Sequence, residues 1–399
     1  MTSATSAAAA PVLLGGVCGR FASRHQLSPR TVRAVTVALA VASAGSVVLL
    51  YVAVWAMLWL MTPGTVAHAA SEAVTTSASR SRSLYGPVTD DLPRVDEMLK
   101  SISHVEHPWL RRMLEHSLAG GGKRMRPAIA LLAGRLGDYD LDKLVPLASS
   151  VELLHTATLV HDDVIDAAAE RRGQPTSAAL FNNASSVMLG DYMFAHAAEF
   201  VARTGNIRVI RNFAATLGIM AQGELKQDMA AYEYSEDVQR YLDRIYGKTA
   251  SLFATAAENG ALVASAPEAY VAPMQRYGES LGMAFQIVDD VLDFTGDARE
   301  MGKPVGSDLL AGTLTLPAIL YMQRSPGDNP IQRAFEGVRR RANLQRAIDE
   351  IRASDVLDEA MASARHFAGL ASDALEELPP GEPRESLTGL VTYVLERRS

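Results

Sequence analysis

Apolar residues recur at intervals of three and four positions along most of the chain after residue 89. In DLPRVDEMLKSI the apolar positions are Val95, Met98, Leu99 and Ile102, with charged residues between them. This is the period of an amphipathic helix, and strand-like alternation between tight turns is scarce. The pattern predicts one all-α domain of ten or more helices over 89–399, with loops near 119–123, 170–176, 204–206, 264–268, 295–312 and 325–330.

The beginning of the chain has a different pattern. Residues 1–33 form a basic leader, because no Asp, Glu or Lys precedes Glu72 and four arginines fall at 20, 24, 30 and 33. Residues 34–61 then carry no charge over 28 positions. At about 1.5 Å per residue, a helix of that length exceeds the roughly 30 Å hydrocarbon core of a bilayer. We therefore predict a transmembrane or targeting segment over 34–61, followed by a Ser/Thr/Ala-rich linker over 62–88.

Three other interpretations of this beginning stay open. The acid-free, arginine-containing leader could be an organellar transit segment, or part of a long signal sequence ending near the AHAA at 67–70. The mature chain could also start closer to Met98, with the preceding residues resulting from a mis-assigned start codon. The sequence does not choose among them.

Composition and charge exclude some classes of protein. The chain is 48% hydrophobic and 21% charged, which provides for a large packed core. Its net charge of −7 combines +4 in the leader with −11 in the remainder. An acidic body argues against nucleic-acid binding, and the single cysteine, Cys18, excludes a disulfide within the chain.

Two carboxylate clusters stand in otherwise apolar helical sequence. LVHDDVID at 159–166 is repeated as QIVDDVLD at 286–293. In a helix, the first and third aspartates of each copy lie one turn apart on one face. Oxygen ligands of this kind suit Mg²⁺, which substrate phosphates usually complete. One copy would more often be a solvated face, but two copies predict metal ligands at Asp162, Asp163, Asp166, Asp289, Asp290 and Asp293.

Cationic residues surround these clusters in the sequence. GGGKRMRP at 120–127 places basic residues after a flexible glycine run, and further basic residues follow each aspartate copy or lie in YGKT. The P-loop pattern is absent. Arginine binds phosphate oxygens bidentately and lysine acts as a compact charge. We therefore predict a site for two diphosphates, one held through metal and one by side chains, drawing on Lys123, Arg124, Arg126, Arg171, Arg172, Lys248 and Lys303.

These motifs, in this order, resemble the trans-prenyl diphosphate synthases, the polyprenyl synthetase family, over most of 92–399. The matching segments are GGKRMRP, ELLHTATLVHDDVID, RRG, GDYMFA, YGKTASLF, FQIVDDVLDFTGD and GKPVGSDLLAGTLTLP. The resemblance implies an isoprenoid-synthase-type helical bundle around a deep apolar cavity, with the two aspartate motifs facing one another at its mouth. It also implies a homodimer.

The resemblance implies a role for each matching residue. Isopentenyl diphosphate would be held by Lys123, Arg126, His155 and Arg172. The allylic diphosphate would be held by Arg171, Lys248, Thr249, Gln286 and Lys303. The catalytic group would be Asp162, Asp166, Asp289 and Lys248, the three aspartates as direct Mg²⁺ ligands, with Asp163, Asp290 and Asp293 acting partly through water. A lone helical histidine is usually a core residue, so only the motif assigns His155.

The implied reaction is the trans condensation of isopentenyl diphosphate with an allylic diphosphate to make a polyprenyl diphosphate. Metal and cations neutralise the departing pyrophosphate, the allylic C–O bond breaks, and the double bond of isopentenyl diphosphate attacks the cation. Ala157 and Thr158 before the first cluster are small, which favours a medium- or long-chain product. Thr313 stands where many members have lysine, so any role of that position is in doubt.

Alternative functions are a short-chain farnesyl or geranylgeranyl synthase, with Tyr192 or Phe194 blocking the cavity, and a non-catalytic partner subunit. Such subunits typically lose aspartates, whereas all six are present here; a terpene cyclase would not keep both clusters together with GGKRMRP.

The leader arginines predict a cytoplasmic N-terminus, so a single crossing would place the catalytic body on the far side of the membrane. Isopentenyl diphosphate is found on the cytoplasmic side. We nevertheless expect a membrane-associated enzyme with a cytoplasmic body, or an organellar enzyme after leader cleavage.

Overall fold

The structure is a computed structural model that describes residues 84–120, 122–171, 173–296, 304–325, 327 and 329–397. The predicted leader, the hydrophobic segment 34–61 and most of the predicted linker lie outside the described residues, and the predictions for them stay predictions. None of the described helices is both long enough and apolar enough to cross a membrane.

The described residues fold almost entirely into helices, which confirms the predicted all-α class. The bounds are α1 Leu92–Ser101, α2 Pro108–Ala119, α3 Met125–Gly134, α4 Leu141–Ile165, α5 Ser177–Leu180, α6 Asn183–Ala202, α7 Ile207–Met229, α8 Val238–Ile245, α9 Ser251–Val263, α10 Glu268–Thr295, α11 Ser307–Leu310, α12 Leu316–Arg324, α13 Pro330–Phe335, α14 Arg340–Arg352, α15 Val356–Glu376 and α16 Glu382–Glu396. A 3₁₀ turn spans Gly86–Val88, and a π-helical turn, Tyr246–Ala250, joins α8 to α9.

Side chains just before several long helices fix where those helices begin. The carboxylate of Asp140 accepts the backbone N–H of Asp142 at the start of α4. Asn182, Asn206 and Asp237 cap α6, α7 and α8 in the same way. Such caps satisfy N–H groups that have no partner within the helix.

Helix α10 runs through the middle of the described domain and packs along α9 and α15. Two glycines on successive turns of α10 allow close contact: a Cβ on Gly278 would lie 2.5 Å from the carbonyl oxygen of Phe253, and one on Gly282 2.6 Å from the Cα of Ala250. Gln286 lies on the same side of α10, two turns after Gly278. The two glycines therefore set how closely this side of α10, which leads to the second aspartate cluster, approaches the π-helical turn.

Helix α4 packs against α6 beside the first aspartate cluster. The imidazole of His161 lies over Gly190, where a Cβ would come within 2.1 Å of Nε2. That nitrogen is 2.9 Å from the carbonyl oxygen of Val187, and the ring meets Phe194 edge-on at 5.2 Å. These contacts hold the C-terminal end of α4 in place.

Three local features differ from the sequence prediction. A two-residue antiparallel hairpin, β1 Glu170–Arg171 with β2 Gln174–Pro175, lies in the predicted loop 170–176. Helix α11 lies in the predicted loop 295–312. Tyr85 and Val88 are buried, so the folded part begins before Thr89. Elements of two to four residues are too short to show a periodic pattern.

Candidate active site

Both aspartate clusters lie at the C-terminal ends of long, largely buried helices. The first occupies the last turn of α4, with Asp166 as the capping residue, and the second falls within the last two turns of α10. The C-terminal end of a helix carries partial negative charge. Carboxylates placed there add to that charge, so the arrangement favours a cation as the missing partner.

In the first cluster, Asp163 is buried and Asp166 is exposed, with Asp162 between these extremes. The Nε of Arg171 donates to Asp163 Oδ1 at 2.7 Å, which fastens the hairpin to α4. Burial raises the pKa of Asp162 to about 6; Lys248 and Arg171 oppose that shift, and Glu224 and Asp166 add to it. Nearby positive charge therefore stabilises the ionised form of Asp162.

Lys248 supplies part of that charge from the π-helical turn. Its Nζ lies 2.7 Å from Glu224 Oε1. Burial alone would lower the pKa of Lys248, but Glu224, Asp162 and Asp166 together raise that pKa. Gly223 and Gly247 approach closely, because a Cβ on Gly223 would lie 3.2 Å from the Gly247 carbonyl carbon. The ammonium is therefore held charged beside the first cluster.

The next residue, Thr249, begins a hydrogen-bond chain to the second cluster. Thr249 Oγ1 donates to Gln286 Oε1 at 2.7 Å, and Gln286 Nε2 donates to Asp290 Oδ1 at 2.9 Å. The hydroxyl of Tyr241 donates to Asp290 Oδ2 at 2.7 Å. Burial and the charges of Asp308 and Asp289 raise the pKa of Asp290 to about 7, against these two hydrogen bonds. Adjacent residues of the π-helical turn thus face the two clusters.

The remaining members of the second cluster have different surroundings. Asp293 is buried and accepts from the hydroxyl of Ser307 at 2.7 Å and the backbone N–H of Asp308 at 3.2 Å. Asp289 is about half exposed, and its Oδ1 accepts from Arg397 Nη2 at 3.1 Å. Asp163, Asp290 and Asp293 are therefore buried and hydrogen-bonded to protein groups, whereas Asp162, Asp166 and Asp289 are more exposed, although Asp289 also pairs with Arg397.

The donor set fits a magnesium site that substrate would complete. Within the described ranges, no three His, Cys, Asp or Glu side chains are close enough to hold a metal by themselves. Mg²⁺ is commonly bound by one or two carboxylates plus phosphate oxygens and water. The open carboxylates of Asp162, Asp166 and Asp289 match that requirement in chemistry.

A cationic cluster, Lys123, Arg124 and Arg126, lies where α3 begins. Arg124 has left-handed backbone geometry and binds two carboxylates, Asp96 Oδ1 at 2.8 Å and Glu152 Oε1 at 2.7 Å. Arg126 stacks 4.4 Å from the ring of Phe253, and its Nε is buried with no hydrogen-bond partner within the described residues. Arg124 therefore ties the loop down, while Arg126 keeps donor capacity for a ligand.

Of the other predicted ligands, Lys123 and His155 lie within the described residues. Lys123 Nζ lies 5.4 Å from the centre of the Tyr393 ring. His155 is half-buried on α4, and its backbone oxygen accepts from the Thr158 hydroxyl at 2.8 Å. Arg172 and Lys303 lie outside the described residues. The backbone N–H of Thr313 donates to the Asp308 carbonyl at 2.9 Å.

Among the described residues, Glu224, Tyr241 and Arg397 contact predicted site residues but were not predicted from the sequence. Tyr241 precedes Lys248 by two helical turns, so helical spacing could have suggested a shared face. Nothing in the local sequence marks Glu224 as the partner of Lys248. Arg397 lies far from every motif, and only the tertiary packing of α16 brings it to Asp289.

An all-α fold that carries two aspartate clusters and a cationic cluster suits an enzyme that acts on diphosphate esters. A family model described as "Polyprenyl synthetase" matches residues 107–351, more than half of the chain. The chain belongs to the polyprenyl synthetase family. The family and enzyme class predicted from the sequence are confirmed.

Known proteins agree with this assignment. The chain is 38% identical over 319 residues to heptaprenyl diphosphate synthase component 2 of Geobacillus stearothermophilus, covering 79% of this chain and 98% of that protein. A decaprenyl diphosphate synthase structure from Rhodobacter capsulatus matches with a TM-score of 0.74 and 36% identity, over 81% and 99% of the two chains. A polyprenyl synthase from Caulobacter crescentus, complexed with calcium and isoprenyl diphosphate, matches with a TM-score of 0.75 and 34% identity, over 81% and 98%.

A second family model, described as "PspC domain", matches residues 11–61. The match covers much of the predicted leader and all of the predicted hydrophobic segment, outside the described residues. Sequence analysis did not predict it.

Asp162 should make the folded protein less stable as the pH rises, when divalent metal is absent. The folded-state pKa is about 6, above the ordinary value of about 3.9. The folded chain therefore keeps a proton that the unfolded chain has already released. This stabilisation is fully present below pH about 4 and is lost as the pH rises through 6. In EDTA, Asp162→Asn should gain Tm relative to wild type between about pH 4 and 7.

The control is Asp373→Asn on α15, which replaces an exposed aspartate. Its Tm difference from wild type should stay constant over the same pH range. A Tm difference for Asp162→Asn that is flat, or that shrinks as the pH rises, would show that Asp162 is not held in this strained, partly desolvated state.

Proposed function

We propose that the protein condenses isopentenyl diphosphate with an allylic diphosphate in trans and releases a medium- or long-chain polyprenyl diphosphate. The observation that carries this proposal is that the more exposed carboxylates of Asp162, Asp166 and Asp289 stand apart from a second, cationic group around Arg126, whose buried Nε has no partner within the described residues. Such an arrangement suits two diphosphates with different counter-charges.

Residues of different charge would bind the two diphosphates. Bound Mg²⁺ would supply neutralising charge for the allylic diphosphate at the open carboxylates. Lys248 lies beside Asp162 and would hold the same leaving group through an ammonium kept charged by Glu224. Arg126 and Lys123 would hold the diphosphate of isopentenyl diphosphate, so that its double bond meets the allylic carbon. The mechanism needs no nucleophilic side chain, since the double bond is the nucleophile.

Mg²⁺ is the metal we propose. The carboxylate oxygens of both clusters are hard ligands of the kind that suits Mg²⁺. The related Caulobacter protein holds calcium together with an isoprenyl diphosphate, which supports an oxygen-ligated divalent ion next to substrate.

Thr158 is the side chain best placed to limit the length of the product. It lies one turn before Asp162 on the same face of α4 and is half-buried. Ala157 is fully buried and turned toward the packed interior. A growing prenyl chain that leaves the first cluster along α4 would therefore meet Thr158 before Ala157.

Thr158→Phe should shorten the product of the full chain. With Mg²⁺, labelled isopentenyl diphosphate and a short allylic starter, wild type should give a ladder that ends in long chains. The variant should end several isoprene units earlier, because the ring blocks the path below Asp162.

Thr158→Val, which keeps the volume, is the matched control and should retain long products. Equal products from both variants would contradict the predicted path of the chain. A wild-type product that stops at farnesyl or geranylgeranyl diphosphate would favour the short-chain alternative, and Phe194, which already packs on His161, would be the next candidate for the block.

A second candidate function is a subunit that works only with a partner. The Geobacillus and Bacillus subtilis relatives are each named as component 2 of a heptaprenyl diphosphate synthase. The intact aspartate clusters and the charged Lys248 support a catalytic rather than a modulating subunit. Turnover by the purified chain alone would separate a self-sufficient enzyme from a component.

We also propose that two copies associate through the outer faces of α6 and α7. The exposed stripe on α7 consists of Ile207, Ala214, Gly218, Ala221, Leu225 and Met229, and that on α6 includes Ala184, Met188, Ala195 and Ala198. Ile207, Leu225 and Met229 are between 63% and 84% exposed. Contiguous apolar surface of this kind marks an interaction site, and its small residues would let helices approach closely.

The double variant Leu225→Asp/Met229→Asp should convert a dimer into a monomer in size-exclusion chromatography with light scattering. Two buried, unpaired carboxylates on a self-complementary face are strongly unfavourable. Leu370→Asp, at an exposed leucine on α15, is the control and should stay dimeric. A monomeric wild type, or a dimeric double variant, would exclude this interface.

Membrane association through 34–61, with the catalytic body in the cytoplasm, is a further proposal. The 28 uncharged residues motivate it, and an anchor would suit a lipid-soluble product. In cell fractionation the full chain should resist extraction by alkaline carbonate, whereas a chain beginning at residue 84 should be found in the soluble fraction. A full chain that is extracted as readily as the shortened one would refute the anchor.

A further inference from the structure

Arg397, which follows α16, has a guanidinium whose donor groups are only partly used. Its Nη2 donates to Asp289 Oδ1 at 3.1 Å. Its Nε and Nη1 are buried with no hydrogen-bond partner within the described residues, and the side chain is only 9% exposed. Buried, unpaired N–H groups of a charged side chain are costly. Arg397 therefore has capacity for an anion that Asp289 does not fill.

Arg126 stands in a matching position nearby. Arg126 lies 4.4 Å from the ring of Phe253, Arg397 lies 4.1 Å from the ring of Phe285, and the two rings are 5.4 Å apart. Both arginines have a buried Nε without a partner. Burial and the charge of Arg397 lower the pKa of Arg126 to about 10, with Glu152 opposing the shift. Two guanidinium groups on adjoining rings repel each other until an anion joins them.

A diphosphate is the anion that suits this pair. Guanidinium N–H groups form a planar fork that matches phosphate oxygens. Lys123 precedes α3, and its Nζ lies 5.4 Å from the ring of Tyr393 on α16, one turn before Arg397. A third cation thus contacts the end of α16 that leads to Arg397. Glu152, whose charge acts on Arg126, already accepts from Arg124 at 2.7 Å.

The present partner of Arg397 is Asp289, which belongs to the proposed metal site. Asp289 is the half-exposed carboxylate of the second cluster, and a metal there would compete with Arg397 for the same oxygen. Arg397 also borders a cavity of about 440 Å³ lined in part by Val291, Leu357 and Met361. The side chain therefore has room to change rotamer.

We infer that Arg397 exchanges partners during the catalytic cycle. It pairs with Asp289 while the metal is absent, and it binds the diphosphate of isopentenyl diphosphate together with Arg126 once metal takes Asp289. This inference rests on the proposed function. As a consequence, metal binding at Asp289 would free Arg397 to bind isopentenyl diphosphate, so one residue would link the two substrate sites.

The exchange can be tested without metal, by calorimetric titration of isopentenyl diphosphate into the full chain in EDTA. Asp289→Asn removes the competing carboxylate charge and should tighten binding about tenfold relative to wild type. Arg397→Gln should bind no tighter than wild type. The double variant should lose the gain, because the freed arginine is the origin of that gain.

Arg352→Gln, an exposed arginine at the end of α14, and Asp373→Asn are the matched controls and should bind like wild type. Arg397→Lys keeps the charge without the planar fork and should restore only part of the affinity in the Asp289→Asn background. Thermal unfolding of each variant checks that all are folded.

Two results would overturn the exchange: equal affinity of Asp289→Asn and wild type in EDTA, or a gain that persists in the double variant. If wild type makes polyprenyl product and either result is found, only the exchange fails. If no folded variant binds isopentenyl diphosphate with or without Mg²⁺ and no product forms, the proposed function fails as well.

Discussion

Negative charge at the C-terminal ends of two buried helices is the constraint on which the site depends. Helices α4 and α10 already carry partial negative charge at those ends, and each adds three aspartates in apolar surroundings. The raised pKa values of Asp162 and Asp290 are the measure of the cost. The proposed function accounts for this cost, since cations and substrate would complete the site.

The surrounding structure divides the six aspartates into two kinds. Tyr241, Gln286, Arg171 and Ser307 occupy the carboxylates of Asp290, Asp163 and Asp293, and these contacts fasten α8, the hairpin and α11 to the site. The other three carboxylates stay open or exchangeable. Burial and hydrogen bonding therefore divide the six aspartates into those that hold neighbouring elements in place and those that stay accessible.

Close helix packing brings both clusters to the π-helical turn. Glycines at 223 and 247 bring α7 against the π-helical turn, and glycines at 278 and 282 bring α10 against α9. π-Helical turns add a residue within a helix and are frequent at functional sites. Here Lys248 of the turn faces the first cluster and Thr249 faces the second, so one turn of helix contacts both clusters.

The sequence by itself determined the helical class, the two carboxylate clusters and the family, because helical periodicity and spaced motifs are local properties. It also singled out the residues proposed to bind metal and diphosphate. It could not find the partners of those residues, such as Glu224 beside Lys248, Tyr241 on Asp290 and Arg397 on Asp289. These pairs are separated by 24, 49 and 108 positions. Only tertiary packing decides which distant side chains meet, since the burial and charge that fix their roles do not exist before the helices assemble.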